Sequence, residues 1–197
     1  MGNNTIFWKR FLAFIIDSII ISFVCALIAV PFLDSNKVTK LTNDTKSIVE
    51  DYTNDKISIE EYTDQVNNIE YQLSKEMGLY SLLMIVVGIS YYGIYQYKTS
   101  KTLGKKLMHI KLDSNDGELT LNQVLFRCLI INCLIFSFIE LVFLVFANSS
   151  IYLVASSTLH MIYYFILISS FFMITFRKDK RGLHDVICNT KVVNCDK

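Results

Sequence analysis

Four long apolar blocks are the feature that most constrains the fold of this chain. They comprise residues 11–33, 79–97, 124–147 and 154–176. A helix needs about 20 mostly apolar residues to cross a bilayer, and each block is close to that length or longer. Every backbone N–H and C=O group must be satisfied internally within lipid, so helices are the expected form. The sequence therefore predicts an all-α membrane protein built on a four-transmembrane-helix bundle.

Lysine and arginine alternate in abundance along the segments that flank these blocks. They are frequent before the first block, between the second and third, and after the fourth. The segment between the third and fourth blocks has none, and in residues 34–78 five lysines are outnumbered by ten acidic residues. Positively charged loops stay in the cytoplasm. We therefore expect a multi-pass protein with both its N and C termini cytoplasmic.

The acidic segment 34–78 has the pattern of a helical hairpin. Ser58 and Glu61 have the spacing of a capping box, in which each side chain bonds the backbone N–H of the other residue. Apolar residues then recur every three or four positions up to Met77, which indicates one helical face. We expect this helix to be continuous, or nearly so, with the second block. The predicted organisation is 1–33 for the N-terminus and first helix, 34–78 for an extracytoplasmic helical hairpin, and 79–197 for the remaining helices with their loop and tail.

A small cytoplasmic β-patch is predicted on the opposite side of the membrane. Two short β-like runs flank Asn115-Asp116-Gly117, and Asp-Gly between apolar runs is a strong turn signal. The run "TKVVN", residues 190–194, is a third candidate strand.

The sequence offers little for catalysis or for nucleic-acid binding. The formal net charge is +1, which gives no reason to expect a nucleic-acid partner. The "LGKK" run is not a phosphate-binding loop, because Thr99 stands where the first glycine is required and Lys106 where a Ser or Thr is required. The five cysteines form no C-x-x-C pair. We expect neither an enzyme nor a bound cofactor or metal.

Three charged motifs, in order, suggest a family. They are "KRFLAFIIDSIII" from Lys9, "SKTLGKKLMHIKLDSNDGELTLNQVLFR" from Ser100, and "RKDKRGLHDVICNTKVV" from Arg177. Together they resemble the RDD family of bacterial membrane proteins, which is named for one Arg and two Asp residues. The resemblance implies that Arg10, Asp17 and Asp185 are those three, that the protein lies in the bacterial plasma membrane, and that transport is a candidate role. Some family members are described as cation/proton antiporters.

Asp17 is the residue of the first block that most needs a partner. Arg10 and Asp17 are seven positions apart and share a helix face, and a carboxylate inside the bilayer is costly unless it faces the bundle and is paired or protonated. We expect its partner to be Asn132, Arg10, or Arg181 of the "RGLHD" segment. Asp185 would then lie near Arg10, closing a charged network that either pins the tail or carries protons.

Three further polar residues lie inside the blocks. Asn132 matches Asp17 in depth from one side, and Glu140 matches His160 in depth from the other. Chains of carboxylate and His side chains serve as proton relays in transporters. They also serve as simple contacts between helices, and both interpretations remain open for these residues.

Two functional hypotheses follow. One is a small transporter or accessory subunit that couples protons and cations, for which four helices enclose so little space that a homodimer would be needed. The other is a non-transporting membrane scaffold or immunity-type protein that binds a protein partner through the extracytoplasmic hairpin, while its basic inner segment contacts anionic lipid of the bilayer.

Overall fold

The computed structural model describes residues 3–195, which are mostly helical with one small sheet. The long helices are α1 (Asn3–Ala29), α2 (Ser35–Thr53), α3 (Ile59–Glu76), α4 (Gly78–Gly88), α7 (Leu121–Ile131), α8 (Leu134–Phe146) and α9 (Ser149–Phe176). The short elements are α5 (Gln96–Thr99), α6 (Leu103–Leu107), α10 (Leu183–Ile187), β1 (Ile110–Ser114) and β2 (Thr190–Asn194). A π-helical stretch, Ile89–Tyr95, joins α4 to α5, and a 3₁₀ turn, Val30–Phe32, follows α1.

Three helical stretches are long and apolar enough to cross a membrane: Ile6–Phe32, Gly78–Thr99 and Ser149–Phe176. The block predicted as a straight third span, 124–147, is instead two helices, α7 and α8, bent by 62°. If that bent pair is one span, the number of spans is four.

The bend in the third block has a local cause. Asn132 ends α7 by donating from both its backbone N–H and its side-chain amide to the carbonyl of Cys128, each at 3.2 Å. Cys133 then adopts a left-handed conformation with a φ of 62°, which no α-helix can continue through. The apolar pattern gave no sign of this break, because most residues on both sides of it are apolar.

The acidic segment folds as a helical hairpin of α2 and α3. Both bonds of the predicted capping box between Ser58 and Glu61 are present, so that prediction is confirmed. The two helices bury Leu41, Ile48 and Ile69 against one another. Only Met77 separates α3 from α4, so the helix is nearly continuous with the next apolar stretch, as expected.

Aromatic contacts hold the hairpin on the bundle. The hydroxyl of Tyr71, in α3, donates to the carbonyl of Ala147 at 3.3 Å. The Tyr71 ring also lies against that of Tyr152, in α9, with centroids 5.5 Å apart. We call the end of the bundle that carries α2 and α3 the hairpin end.

The opposite end carries the sheet, in which β1 pairs with β2 in antiparallel register from Ile110 opposite Asn194 to Ser114 opposite Thr190. We call it the network end. The predicted β-run after Gly117 is wrong, because Thr120 caps α7 through a capping box with Gln123 and thereby commits the chain to a helix. The strand that pairs with β1 comes from "TKVVN".

Two units of the same design make up the network end. In each, a five-residue helix is followed by a two-residue turn and a five-residue strand: α6 leads into β1, and α10 leads into β2. The turn residue before each strand is left-handed, with φ of 53° at His109 and 51° at Asn189. The strands bury Ile110 and Leu112 against Ala13 of α1 and the helices beside it, which fixes both units to the bundle.

Candidate functional site: two buried carboxylates

Asp17 lies in α1, faces the interior of the bundle, and has only 2% of its surface exposed. Its Oδ1 accepts from the Tyr91 hydroxyl at 2.6 Å and from the Gly104 backbone N–H at 2.7 Å. Its Oδ2 accepts from the Thr102 hydroxyl. The expected partners Asn132, Arg10 and Arg181 are wrong, because Tyr91 and the start of α6, which packs on this part of α1, supply the three donors.

The start of α6 is built to hold this carboxylate. The first N–H groups of a helix lack partners inside the helix and favour a negative charge. Thr102 caps α6 by accepting from the Lys105 N–H at 3.3 Å while its hydroxyl donates to Asp17. A Cβ on Gly104 would lie 2.3 Å from the Ala13 carbonyl oxygen, so only glycine allows this approach.

Tyr91 links Asp17 to the same helix start. Its hydroxyl accepts from the Leu103 N–H at 2.8 Å while it donates to Asp17. Tyr91 lies within the π-helical stretch Ile89–Tyr95. Such bulges occur often at functional sites, and here the bulge belongs to the helix that supplies a donor to Asp17.

Asp185, the second carboxylate, is fully buried at the start of α10. It forms ion pairs with Arg10 and, at 2.9 Å, with the Nε of Arg127. The Gly182 backbone N–H donates to it at 3.1 Å. Burial alone would raise the pKa of Asp185, but the guanidinium groups of Arg10 and Arg127 outweigh burial and hold that pKa well below its ordinary value.

The same arginines and their neighbours tie the tail to the bundle. Arg10 donates to the Lys180 carbonyl at 2.8 Å. Arg10 of α1 and Arg127 of α7 therefore hold residues 180–185 to the bundle through charge-assisted hydrogen bonds, which are stronger than neutral ones. Within the tail, Arg181 donates to the carbonyls of Thr190 at 2.9 Å and Asp185 at 3.1 Å.

His184, the residue before Asp185, is part of this cluster. It is 2% exposed, and its Nδ1 lies 3.2 Å from the Ser170 hydroxyl oxygen. Burial lowers the pKa of His184 to about 3, further aided by the positive charges of Arg127 and Arg10, although Asp185 opposes the shift. The imidazole is therefore neutral at physiological pH.

Comparison with known proteins identifies the family of this chain. The sequence profile of the RDD family matches residues 5–189, which include Asp17, Asp185 and the donors that bind them. This chain belongs to the RDD family. It is 30% identical over 189 residues to "Uncharacterized protein YxaI" of Bacillus subtilis (strain 168), a match that covers 95% of each chain. No solved structure matches the chain.

The three residues assigned from the family name do not form one triad in this RDD protein. Arg10 contacts Asp185, as expected, whereas Asp17 has its own set of donors, none of them a cation. The two carboxylates are thus held by different chemistry: Asp17 by neutral donors, and Asp185 by two guanidinium groups and a backbone N–H.

The remaining candidate residues of the RDD chain fall into two places. Asn132 lies at the break between α7 and α8 and bonds the Cys128 carbonyl. Glu140 accepts from the hydroxyls of Ser156 at 2.6 Å and Tyr152 at 3.2 Å, towards the hairpin end. His160 Nδ1 lies 3.4 Å from the same Ser156 hydroxyl oxygen. The structure therefore brings Glu140 and His160 to one serine and leaves Asn132 apart.

Sequence reasoning missed four residues of this site. Tyr91, Thr102 and Gly104 bind Asp17, and Arg127 binds Asp185. Arg127 carried a usable signal, since an arginine inside an apolar block needs a counter-charge. The "LGKK" run entered the sequence analysis as a rejected phosphate-binding loop and as part of a family motif, and neither use identified it as a partner of Asp17. Among residues 3–195, no group of three or more His, Cys, Asp or Glu side chains is placed to hold a metal ion.

Proposed function

We propose that this RDD protein is a non-transporting membrane scaffold: the charged network latches loop and tail beneath the bundle, and the acidic hairpin binds a protein partner. The observation that carries this proposal is that Asp17 and Asp185 are both buried and each is held by three close donors. Buried carboxylates bonded in this way stabilise the fold and fix the positions of the segments that they join.

A proton-carrying site needs a group that gains and loses its proton near the working pH. Asp185 is held in its charged form by Arg10 and Arg127, and its pKa lies well below the ordinary value. His184, with a pKa of about 3, stays neutral. Asp185 and His184, which lie outside the spans, therefore support a structural role, in which they hold the tail against the bundle.

The hairpin supplies the binding surface of this proposal. Residues 34–78 hold ten acidic residues against five lysines, and Tyr52 and Ile59 are exposed on it at 39% and 56%. An acidic surface with a few apolar groups favours a partner with a basic face. By the positive-inside rule, we place the network end in the cytoplasm and the hairpin outside the bacterial plasma membrane.

The experiment that tests the latch compares Asp17→Asn with the parental chain in two assays. We expect the variant to unfold at lower temperature in detergent and to release the loop that carries α6 to protease, because Asp17 accepts from Thr102 and Gly104 of that loop. We expect the parental chain in proteoliposomes to give proton-linked cation flux no greater than empty liposomes. Flux in the parental chain that Asp17→Asn abolishes, with stability unchanged, would contradict the proposal.

Partner binding is tested by photo-crosslinking from the hairpin in cells. A crosslinker placed at Lys46, which is exposed on α2, should give one dominant adduct. Charge-neutral substitution of Glu60 and Asp64 on α3 should weaken that adduct. A crosslink pattern that does not depend on these carboxylates would count against an acidic recognition surface.

Proton-coupled cation transport is the second candidate, and the contacts around Ser156 favour it. Glu140, Ser156 and His160 form a polar chain inside apolar helices, and chains of carboxylate and His side chains serve as proton relays in transporters. This candidate would use a homodimer to line a path. It requires that Glu140→Gln abolish a flux that Asp17→Asn leaves intact in folded protein.

A further inference from the structure

A cavity of about 480 Å³ opens at the network end, between α1, α7 and α9. Its volume is within the range of ligand sites in proteins. The cavity has a charged side, where the α6 and α10 units close the bundle, and an apolar side that extends along α1 and α9. This arrangement is independent of the function proposed above.

Lys105 is the charged group of this cavity that lacks a partner. Arg10 and Arg127 also line it, but both are paired with Asp185. Asp17, which lines it too, accepts three hydrogen bonds from other groups. Throughout residues 3–195, no hydrogen bond or ion pair reaches the Lys105 ammonium. The cavity therefore presents one lysine side chain without a direct counter-ion.

In the empty cavity the surroundings of Lys105 destabilise its charged form, so binding of an anion beside it would be favourable. Burial lowers the pKa of Lys105 well below its ordinary value, and the positive charge of Arg127 acts in the same direction. A bound anion would offset both effects, because an opposite charge close by favours the charged form of a lysine.

The apolar side of the cavity reaches the outer surface of the helices. Phe11 of α1 and Ile168 and Phe172 of α9 line it and are still 44%, 56% and 53% exposed. These exposed faces belong to stretches that are apolar enough to cross a membrane. A chain of CH₂ groups entering between α1 and α9 would therefore contact lipid on one side and the cavity wall on the other.

We propose that this cavity binds one membrane lipid with an anionic phosphate headgroup, whose phosphate pairs with Lys105 and whose acyl chain lies between α1 and α9. Basic pockets between membrane helices are suited to such headgroups. A free phosphate would satisfy the charge but leave the apolar walls uncovered, so the two halves of the cavity together select an amphiphile.

Native mass spectrometry of the full chain in detergent tests this proposal. Dioleoyl phosphatidylglycerol and dioleoyl phosphatidylcholine have the same chains and differ in headgroup charge. We expect one phosphatidylglycerol per chain, bound about tenfold more tightly than phosphatidylcholine, because the choline cation of phosphatidylcholine offsets the phosphate charge beside Lys105 and phosphatidylglycerol has no such cation. Lys105→Gln should remove that preference, and Lys106→Gln should keep it, because Lys106 is exposed and outside the cavity.

Each contrary result overturns the proposal. If the parental chain binds the two lipids with equal affinity, the proposal is wrong, whether or not Lys105→Gln folds. If Lys105→Gln folds and keeps the preference for phosphatidylglycerol, the proposal is also wrong. Glycerol phosphate binding as tightly as phosphatidylglycerol would assign the site to a soluble anion. A lipid-free dimer that excludes phosphatidylglycerol would show that a second copy covers the groove.

Discussion

At the scale of single residues, the two carboxylates differ in how their charge is balanced. Asp17 accepts from two hydroxyls and one backbone N–H, all neutral. Asp185 sits between two buried guanidinium groups. Removing the charge of Asp17 therefore disturbs hydrogen bonds alone, whereas removing that of Asp185 leaves two cations without a counter-ion.

This difference predicts an order of stability among three Asp→Asn variants. Asp185→Asn should lower the free energy of unfolding by about 3–5 kcal/mol, as for a broken buried ion pair. Asp17→Asn should cost about 1–3 kcal/mol for a disturbed buried bond network. Asp179→Asn is the control, because its pair with Arg177 is exposed to solvent and should contribute least of the three. Thermal unfolding in detergent gives the order, and equal effects would contradict it.

His184 predicts a loss of stability in mild acid. Its folded-state pKa of about 3 lies below the ordinary 6.5, so between these values the unfolded chain binds the extra proton. Stability is then complete above pH 6.5 and falls as the pH is lowered, by about 2 kcal/mol at pH 5. The low pKa of Asp185 affects stability only below about pH 4, and therefore does not contribute between pH 7 and pH 5.

Chemical unfolding at pH 7 and pH 5 measures the effect of His184. His184→Gln should flatten the difference, while His109→Gln, at an exposed position, should keep it. A pH dependence that survives His184→Gln would assign it to another group.

At the scale of elements, the contact of α6 with α1 depends on close backbone approach. The helix start of α6 reaches Asp17 only because Gly104 brings no side chain between them. The nearest obstacle to a Cβ there is a main-chain carbonyl, which cannot move without moving α1. The Asp17 site is therefore as much a property of how two helices pack as of the carboxylate.

Gly104→Ala should consequently lower stability by about 1–3 kcal/mol through overpacking and should pull α6 away from Asp17. Gly78→Ala is the matched control, since its Cβ would meet its nearest neighbour, Leu144, at an ordinary 3.8 Å, and alanine favours a helix over glycine. Thermal unfolding of both variants tests this. Equal stability of Gly104→Ala and the parental chain would show that α1 and α6 separate freely.

At the scale of the whole molecule, the two ends of the bundle have opposite character. The network end gathers Arg10, Lys105, Arg127 and Arg181, while the hairpin end carries the acidic α2 and α3. Apolar helix faces separate the ends. This polarity is the physical basis for placing the network end inside the cell.

The orientation predicts how two introduced cysteines react in intact cells. Asp55→Cys lies in the turn between α2 and α3, and Lys106→Cys lies in α6; both positions are exposed. A thiol reagent that cannot cross the membrane should label Asp55→Cys above the parental chain and leave Lys106→Cys at the parental level until the cells are opened. The reverse pattern would place the hairpin in the cytoplasm.

Patterns between residues close together in the sequence predicted the helices better than they predicted the partners of Asp17. Ser58 and Glu61 are three residues apart, so their capping box is visible in the sequence. The donors to Asp17 lie 74 to 87 residues further along the chain, and only the packed structure brings them there. The Asp17–Asn132 pairing failed because matching depths assumes straight helices, and the chain bends at Cys133.

The pairing of β1 with β2 has a consequence for synthesis in the cell. Strand β2 and Asp185 are translated after all four apolar blocks, whereas Arg10, Arg127 and β1 are made earlier. Until Asp185 and β2 have left the ribosome, both arginines lack their counter-ion and β1 has an open edge. A chain stalled before that point would expose this edge, which is a template for pairing with another chain, and completion of the sheet would remove it.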